Sequence, residues 1–161
     1  MKFGLVLPLR IVQAVFSLVV LGLSAYVANW YNVDTLTSSP SQINFLIFSS
    51  LWSLISVACL ELVPRFFPRF SNPYAAIGIE FSNVLFWFSG FVALGVFLSK
   101  LLFCRGTVCG AAQADTAFSA FLFVSWGATV GLMAKDLFKS GFRRPSPAGL
   151  AVPPPMKETM A

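Results

Sequence analysis

The stretch "IGIEFSNVLFWFSGFVALGVFL", residues 77–98, decides the fold because it is apolar over 22 residues and holds a single charged side chain, Glu80. An α-helix rises about 1.5 Å per residue, so about 20 apolar residues cross a hydrocarbon core about 30 Å thick. Backbone amides in hydrocarbon must be paired within their own segment, which favours a helix. The stretch therefore predicts a transmembrane helix.

Three more blocks have a similar length and character: residues 11–31, 43–63 and 117–137. The chain has 161 residues, of which 57% are hydrophobic and 11% charged, far from the average of soluble domains. The first block is too long for a signal peptide, and Tyr26 stands where cleavage after Ala28 would need a small residue. We therefore predict an all-α fold, an integral membrane four-helix bundle over residues 1–139.

Lysine and arginine fall mainly on one side of these four spans. One side receives the N-terminus, the second connection and the C-terminal segment, with nine of the 11 basic residues; the other side holds Lys100 and Arg105. Short cytoplasmic loops are enriched in Lys and Arg. Both termini are therefore predicted to be cytoplasmic, in a multi-pass protein of the plasma membrane or of a secretory or endosomal membrane.

The C-terminal segment, residues 140–161, is rich in Pro, with Gly and Ser, and has no periodic apolar face. It is predicted to be a disordered cytoplasmic tail. The formal net charge of +5 comes mostly from the Lys and Arg residues that set the orientation of the spans in the membrane. The same residues are expected to attract anionic lipid headgroups. Because no basic motif is interleaved with aromatic residues, no nucleic-acid partner is expected.

Four arginines are candidates for contact with lipid headgroups. Arg65 and Arg69 lie in "PRFFPRF", residues 64–70, where phenylalanines can insert among headgroups while the arginines meet phosphate. Arg143 and Arg144 lie near the start of the tail. These positions predict a basic surface held against the inner leaflet.

Two acidic side chains lie near the cytoplasmic ends of the predicted spans, Glu61 and Glu80. Acids inside a bilayer are costly and mark functional candidates. Here Arg10 and Arg65 belong to the same layer, so a belt of ion pairs between helices is favoured over a proton or ion path. Because Pro64 is expected to disturb the helix between Glu61 and Arg65, Arg10 is the expected partner of Glu61.

The outer connection contains Cys104 and Cys109. On the luminal or extracellular side they are expected to form a structural disulfide. The Cys-x4-Cys spacing and the lack of a second cysteine pair disfavour a thiol oxidoreductase, and the absence of His disfavours a metal site. Lys100 and Arg105 lie near Asp115 in sequence, so an ion pair is predicted at the outer mouth of the third and fourth helices.

Small residues mark candidate helix-packing positions. Gly127 and Gly131 in "GATVG" have the GxxxG spacing, and Ser49 and Ser53 lie four residues apart in the second span. The glycine pair is explained equally well by packing within one chain and by dimerisation.

The third and fourth spans resemble the fungal branch of the MARVEL-domain family. The similarity lies in "GIEFSNVLFWFSGFVALGVFLSK", residues 78–100, followed by a cysteine-bearing loop and an Ala-rich helix start in "CRGTVCGAAQADTAFSAFLFVSW", residues 104–126. It extends over residues 5–139. The first outer loop, "NVDTLTSSPSQ", has no cysteine, which distinguishes the chain from claudins.

The resemblance implies a non-enzymatic protein without a cofactor. The implied roles are organisation of lipid domains, membrane apposition or vesicle trafficking. The implied partners are membrane lipids (sterol, sphingolipid or anionic lipid), copies of the chain in a homo-oligomer, or other membrane proteins. The alternatives are a small accessory subunit of a larger membrane complex, a channel-like oligomer and, less favoured, a membrane thiol oxidoreductase.

Overall fold

A computed structural model describes residues 3–35, 38–67, 73–100 and 106–139. These residues form four α-helices: α1 Phe3–Val33, α2 Ser41–Phe66, α3 Pro73–Lys100 and α4 Thr107–Lys139. Each contains a window long and apolar enough to cross a membrane. The predicted all-α fold with four membrane-spanning helices is confirmed.

The helices extend beyond the apolar blocks that predicted them. α4 begins at Thr107 rather than at residue 117, and α1 begins at Phe3 rather than at residue 11. The apolar blocks mark the most hydrophobic part of each helix, whereas the backbone hydrogen bonds of the helix continue beyond that part. The expected disturbance at Pro64 is also wrong, because α2 continues to Phe66 and the Phe67 amide donates to the Val63 carbonyl at 2.8 Å.

The four helices form an up-and-down bundle in which each helix packs against two others. α1 and α3 both pack against α2 and α4, so α1 and α3 lie across the bundle diagonal. Early residues of α1 contact late residues of α4, which makes this neighbouring pair antiparallel. We call the end that holds Arg10 and Glu80 the terminal end, and the end that holds Asp115 the opposite end.

The bundle is polar inside and apolar outside. Large apolar side chains do fill part of the interior, with Trp87, Trp126 and Leu122 fully buried. Yet Gln13 and Asn83 are also fully buried, together with several serines, while many Phe, Leu, Val and Ile side chains are exposed. Lipid tails are as apolar as these side chains, so a membrane helix gains little from turning them inward.

The Leu46 side chain of α2 packs against Gly90 of α3. A Cβ atom built there would lie 2.7 Å from Leu46 Cδ2 of α2. By contrast, a Cβ at Gly127 or Gly131 would meet no atom within 4 Å. The "GATVG" glycines therefore do not lie where helices of this chain approach each other, and their contact with a second copy stays a prediction.

We expect the free energy of unfolding of Gly90→Ala to be about 1 kcal/mol below that of Gly22→Ala, because only the methyl group at Gly90 must displace the packed Leu46 side chain, while both changes gain the same helix preference. Thermal unfolding in detergent micelles measures the loss. Gly22→Ala is the matched control: nothing lies within 4 Å of its Cβ position, and Ala favours the helix. Equal melting temperatures for the two variants would contradict the close approach.

Candidate functional site

Arg10 of α1 and Glu80 of α3 form an ion pair across the bundle diagonal. Arg10 is 2% exposed and Glu80 is fully buried. Thr129 of α4 donates to Glu80 Oε2 at 2.5 Å, and Arg10 Nη1 donates to Gln13 Oε1 at 3.2 Å. The Arg10 guanidinium also lies 5.3 Å from the ring centre of Trp126. We call these five residues the Arg10 cluster; it connects α1, α3 and α4.

The Arg10 cluster is a buried charge site with its main partners in place. In a low-dielectric interior, moving each ion out of water costs several kcal/mol, which only close pairing and further hydrogen bonds offset. Glu80 receives a hydrogen bond on each carboxylate oxygen, one of them from a cation. The arrangement therefore stabilises the relative positions of three helices, and it agrees with the expected ion-pair belt rather than with an open ion path.

The Arg10 cluster corrects the predicted pairing of Glu61. Arg10 pairs with Glu80, while Glu61 accepts from Arg65 Nη2 at 3.4 Å one helical turn away. The reason is geometric: α2 stays helical through Pro64, so Glu61 and Arg65 share a face of the helix. The Arg65 side chain is 62% exposed, so this second pair contributes little to stability.

α2 and α3 are joined by a neutral hydrogen-bond chain. Ser53 Oγ donates to Asn83 Oδ1 at 2.7 Å, Asn83 Nδ2 donates to Ser56 Oγ at 2.9 Å, and Trp87 Nε1 donates to Ser53 Oγ at 2.8 Å. Ser49, the other predicted packing serine, is fully buried and donates to its own helix. Hydrogen bonds between membrane helices contribute on average about 0.6 kcal/mol each. These neutral hydrogen bonds therefore set the alignment of α2 and α3 and add little to the free energy of unfolding.

At the opposite end, Asp115 of α4 is fully buried and accepts a hydrogen bond from Ser24 Oγ of α1 at 2.6 Å. The predicted pair with Lys100 is wrong, since Lys100 is exposed at the end of α3. The error follows from the start of α4: with Thr107 as the first residue, Asp115 lies in the third helical turn rather than in a loop. The burial of the Asp115 side chain inside the bundle could have been predicted only if the start of α4 at Thr107 had been known.

Several predicted residues lie outside the described part of the chain: Arg105, Arg69, Arg143, Arg144 and Cys104. Cys109 is disulfide-bonded, and Cys59 is free and exposed. The pairing of Cys104 with Cys109 stays a prediction. Within the described ranges, no cluster of three His, Cys, Asp or Glu side chains has the arrangement of a metal site.

These features define a class: a four-span helical membrane protein whose buried polar side chains mostly bond to one another or to their own helix, and whose outer surface is largely apolar. The chain belongs to the MARVEL family, whose model, described as a membrane-associating domain, matches residues 3–132. It is similar to the Saccharomyces cerevisiae (strain ATCC 204508 / S288c) protein "Non-classical export protein 2 homolog 1", with 27% identity over 155 residues, 84% of this chain and 86% of the relative. No solved structure matches the chain.

Removing the cation of the Arg10 cluster should be costly. We expect Arg10→Gln to lower the free energy of unfolding by about 3–5 kcal/mol, because Glu80 is left buried without its cation. The exposed pair of Arg65 and Glu61 supplies the matched control: Arg65→Gln should lower the free energy of unfolding by no more than about 1 kcal/mol. Thermal unfolding in one detergent compares both variants.

The double variant Arg10→Gln, Glu80→Gln separates charge from packing. Because no unpaired charge remains, it should regain most of the stability that Arg10→Gln loses. A double variant as unstable as the single one would contradict the assignment of the loss to the stranded carboxylate.

The predicted disulfide has a direct test, because trypsin cleavage after Arg105 places Cys104 and Cys109 in different peptides. If the two thiols are joined, the peptides should remain linked until reduction, while Cys59 is alkylated without reduction. Cys104→Ser should then lower stability by about 2 kcal/mol, the value expected for so short a loop. Alkylation of both thiols in unreduced protein would overturn the pairing.

Proposed function

We propose that this protein is a non-enzymatic organiser of membrane domains, which gathers particular lipids, assembles with copies of itself and serves membrane apposition or vesicle traffic. One observation carries the proposal. Most of the buried polar side chains bond to one another or to the backbone of their own helix, so the surface left for partners within the membrane is the apolar outer one. Recognition through such a surface depends on the length, packing and headgroups of lipids.

The length of the apolar surface supports selection of a thick bilayer. The first and last exposed apolar side chains on α1 are Leu7 and Val33, and exposed Asn29 and Asn32 lie near the second end of this row. Leu7 and Val33 are 26 positions apart, or about 39 Å along a helix, against a hydrocarbon core of about 30 Å. Sterol- and sphingolipid-rich membranes are a few Å thicker than average, which reduces the mismatch.

Aromatic rings on the outer surface supply flat, rigid faces for lipid packing. Phe48 and Phe86 lie 5.7 Å apart between α2 and α3, and Phe88 and Phe123 lie 5.5 Å apart between α3 and α4. Phe48 and Phe88 are about half exposed. Rings held by such contacts lose little freedom when a planar sterol packs against them.

A contact with anionic lipid is supported at the terminal end of α2. The exposed Arg65 is next in sequence to Phe66, which lines an open apolar groove that an acyl chain could occupy. The groove is lined by Ala58, Cys59, Leu62, Val63, Phe66 and Phe67. With the termini in the cytoplasm, as we propose, Arg65 meets the headgroups of the inner leaflet.

Assembly and traffic rest on separate observations. Open space beside Gly127 and Gly131 leaves the "GATVG" face of α4 available to a helix of a second copy. The name of the yeast relative describes an export protein, which favours a role in traffic among the proposed roles.

We expect the protein to concentrate in the thicker, sterol- and sphingolipid-rich phase of phase-separated vesicles. The double variant Leu7→Asn, Val33→Asn shortens the apolar row on α1 and should shift the protein toward the thinner phase, as fluorescence imaging would measure. Leu18→Ala is the matched control, since Leu18 is exposed near the middle of α1 and leaves the length unchanged.

Native mass spectrometry of the protein released from membranes identifies the bound lipids and counts the chains in each particle. Retained sterol, sphingolipid or anionic lipid and more than one chain per particle are the expected results. A strictly monomeric protein with no lipid preference would contradict the proposal, and a partner of fixed stoichiometry would instead favour an accessory subunit.

A further inference from the structure

Asp115 is a buried acid with incomplete pairing. Its Oδ2 atom accepts one hydrogen bond, from the Ser24 hydroxyl at 2.6 Å, while its Oδ1 atom is buried without a hydrogen-bond partner in the part of the chain that the structure describes. Glu80 at the other end differs, because it has a guanidinium and a hydroxyl as donors. The two acids therefore occupy electrostatically different sites.

No described cation compensates Asp115. α4 packs against α1 and α3, so the charged and titratable groups to consider lie on these helices, on the connection after α1 and on α4 itself. Arg10 and Glu80 are at the other end of the bundle; Arg10 is 14 positions from Ser24 along α1, about 21 Å. The groups nearer to the opposite end are Tyr26, Tyr31 and Asp34 after or within α1, Lys100 on α3, and the disulfide-bonded Cys109 on α4.

Those nearer groups do not supply a positive charge inside the bundle. Tyr26 is half exposed, and its hydroxyl bonds to Thr107. Asp34 and Lys100 are exposed to the surroundings. Arg105 lies outside the described residues, and the variant Arg105→Gln tests whether it pairs with Asp115.

An ionised carboxylate in such a place is unfavourable. Burial of an unpaired charge costs far more than one hydroxyl donor returns, and a group in that position takes up a proton instead. We propose that Asp115 is a proton-binding site and that its carboxyl group is neutral in the folded protein at neutral pH. The proton comes from the aqueous phase and returns to it when the group ionises.

The bound proton has a structural consequence at the α1–α4 contact. A neutral carboxyl and the Ser24 hydroxyl form a hydrogen bond without a buried charge, which joins the two helices at the opposite end. Loss of the proton would leave an anion beside one hydroxyl and would favour separation of α1 from α4. The site therefore makes this helix contact weaken as the pH rises.

Infrared spectroscopy of the protein in lipid nanodiscs tests the proposal. The wild-type protein at neutral pH should give the carbonyl-stretching band of a protonated carboxyl, which shifts in heavy water. Asp115→Asn should lose the band, whereas Asp136→Asn, at an exposed acid of the same helix, should keep it. Ser24→Ala should shift the band without removing it, because only its hydrogen bond changes.

Stability as a function of pH gives a second measurement. The melting temperature of the wild-type protein and of Asp136→Asn should fall as the pH is raised above neutral, and that of Asp115→Asn should fall less, because Asn carries no proton to lose. The wild-type spectrum tests the proposal even if Asp115→Asn fails to fold.

Three results would overturn the assignment. The first is a wild-type spectrum with no protonated-carboxyl band at neutral pH, and the second is a band that persists in Asp115→Asn. The third is a band that is absent from the wild-type protein and present in Lys100→Gln or Arg105→Gln, which would make one of those cations the partner of an ionised Asp115.

Discussion

The ion pair between Arg10 and Glu80 constrains the rest of the bundle because neither charge is stable alone inside a membrane. The pair spans the diagonal, so it fixes how far α1 and α3 are shifted and rotated relative to each other. Thr129 then has to present its hydroxyl to Glu80, which fixes the position of α4. A wrong register would leave a buried charge uncompensated, a larger cost than any neutral hydrogen bond in the bundle.

The remaining polar contacts refine this arrangement. Ser53 and Asn83 align α2 with α3 through neutral groups, and Ser24 aligns α1 with α4 at the end away from the ion pair. The bundle thus has a carboxyl group paired with a guanidinium in the Arg10 cluster at one end and, in our proposal, a neutral carboxyl group at the other. Only the second can respond to pH without breaking a salt bridge, so the two ends differ in what can change them.

The sequence was sufficient for the number, type and family of the helices, because long apolar blocks report membrane insertion directly. It was insufficient to predict which buried polar side chains bond to each other. Arg10, Gln13 and Ser24 follow helical spacing and could have been assigned to one inward face, but which helix lies diagonally opposite depends on packing. Local motifs fail for the same reason: the spacing of "GATVG" says nothing about whether its face of α4 points inward, whereas Gly90, in no motif, lies against Leu46 of α2.

The bonded polar interior and the apolar outer surface favour the proposed organiser over a transporter. A transporter must exchange polar contacts within its interior for contacts with a substrate, so its buried groups cannot be committed too strongly to one another. Here Glu80 is held by Arg10 and Thr129, and Asn83 is held by two serines. Opening the centre of the bundle would break several of these bonds at once, whereas lipids can exchange on the outer surface without disturbing any of them. The proposed selection of partners at the outer surface would therefore leave the hydrogen bonds of the interior in place.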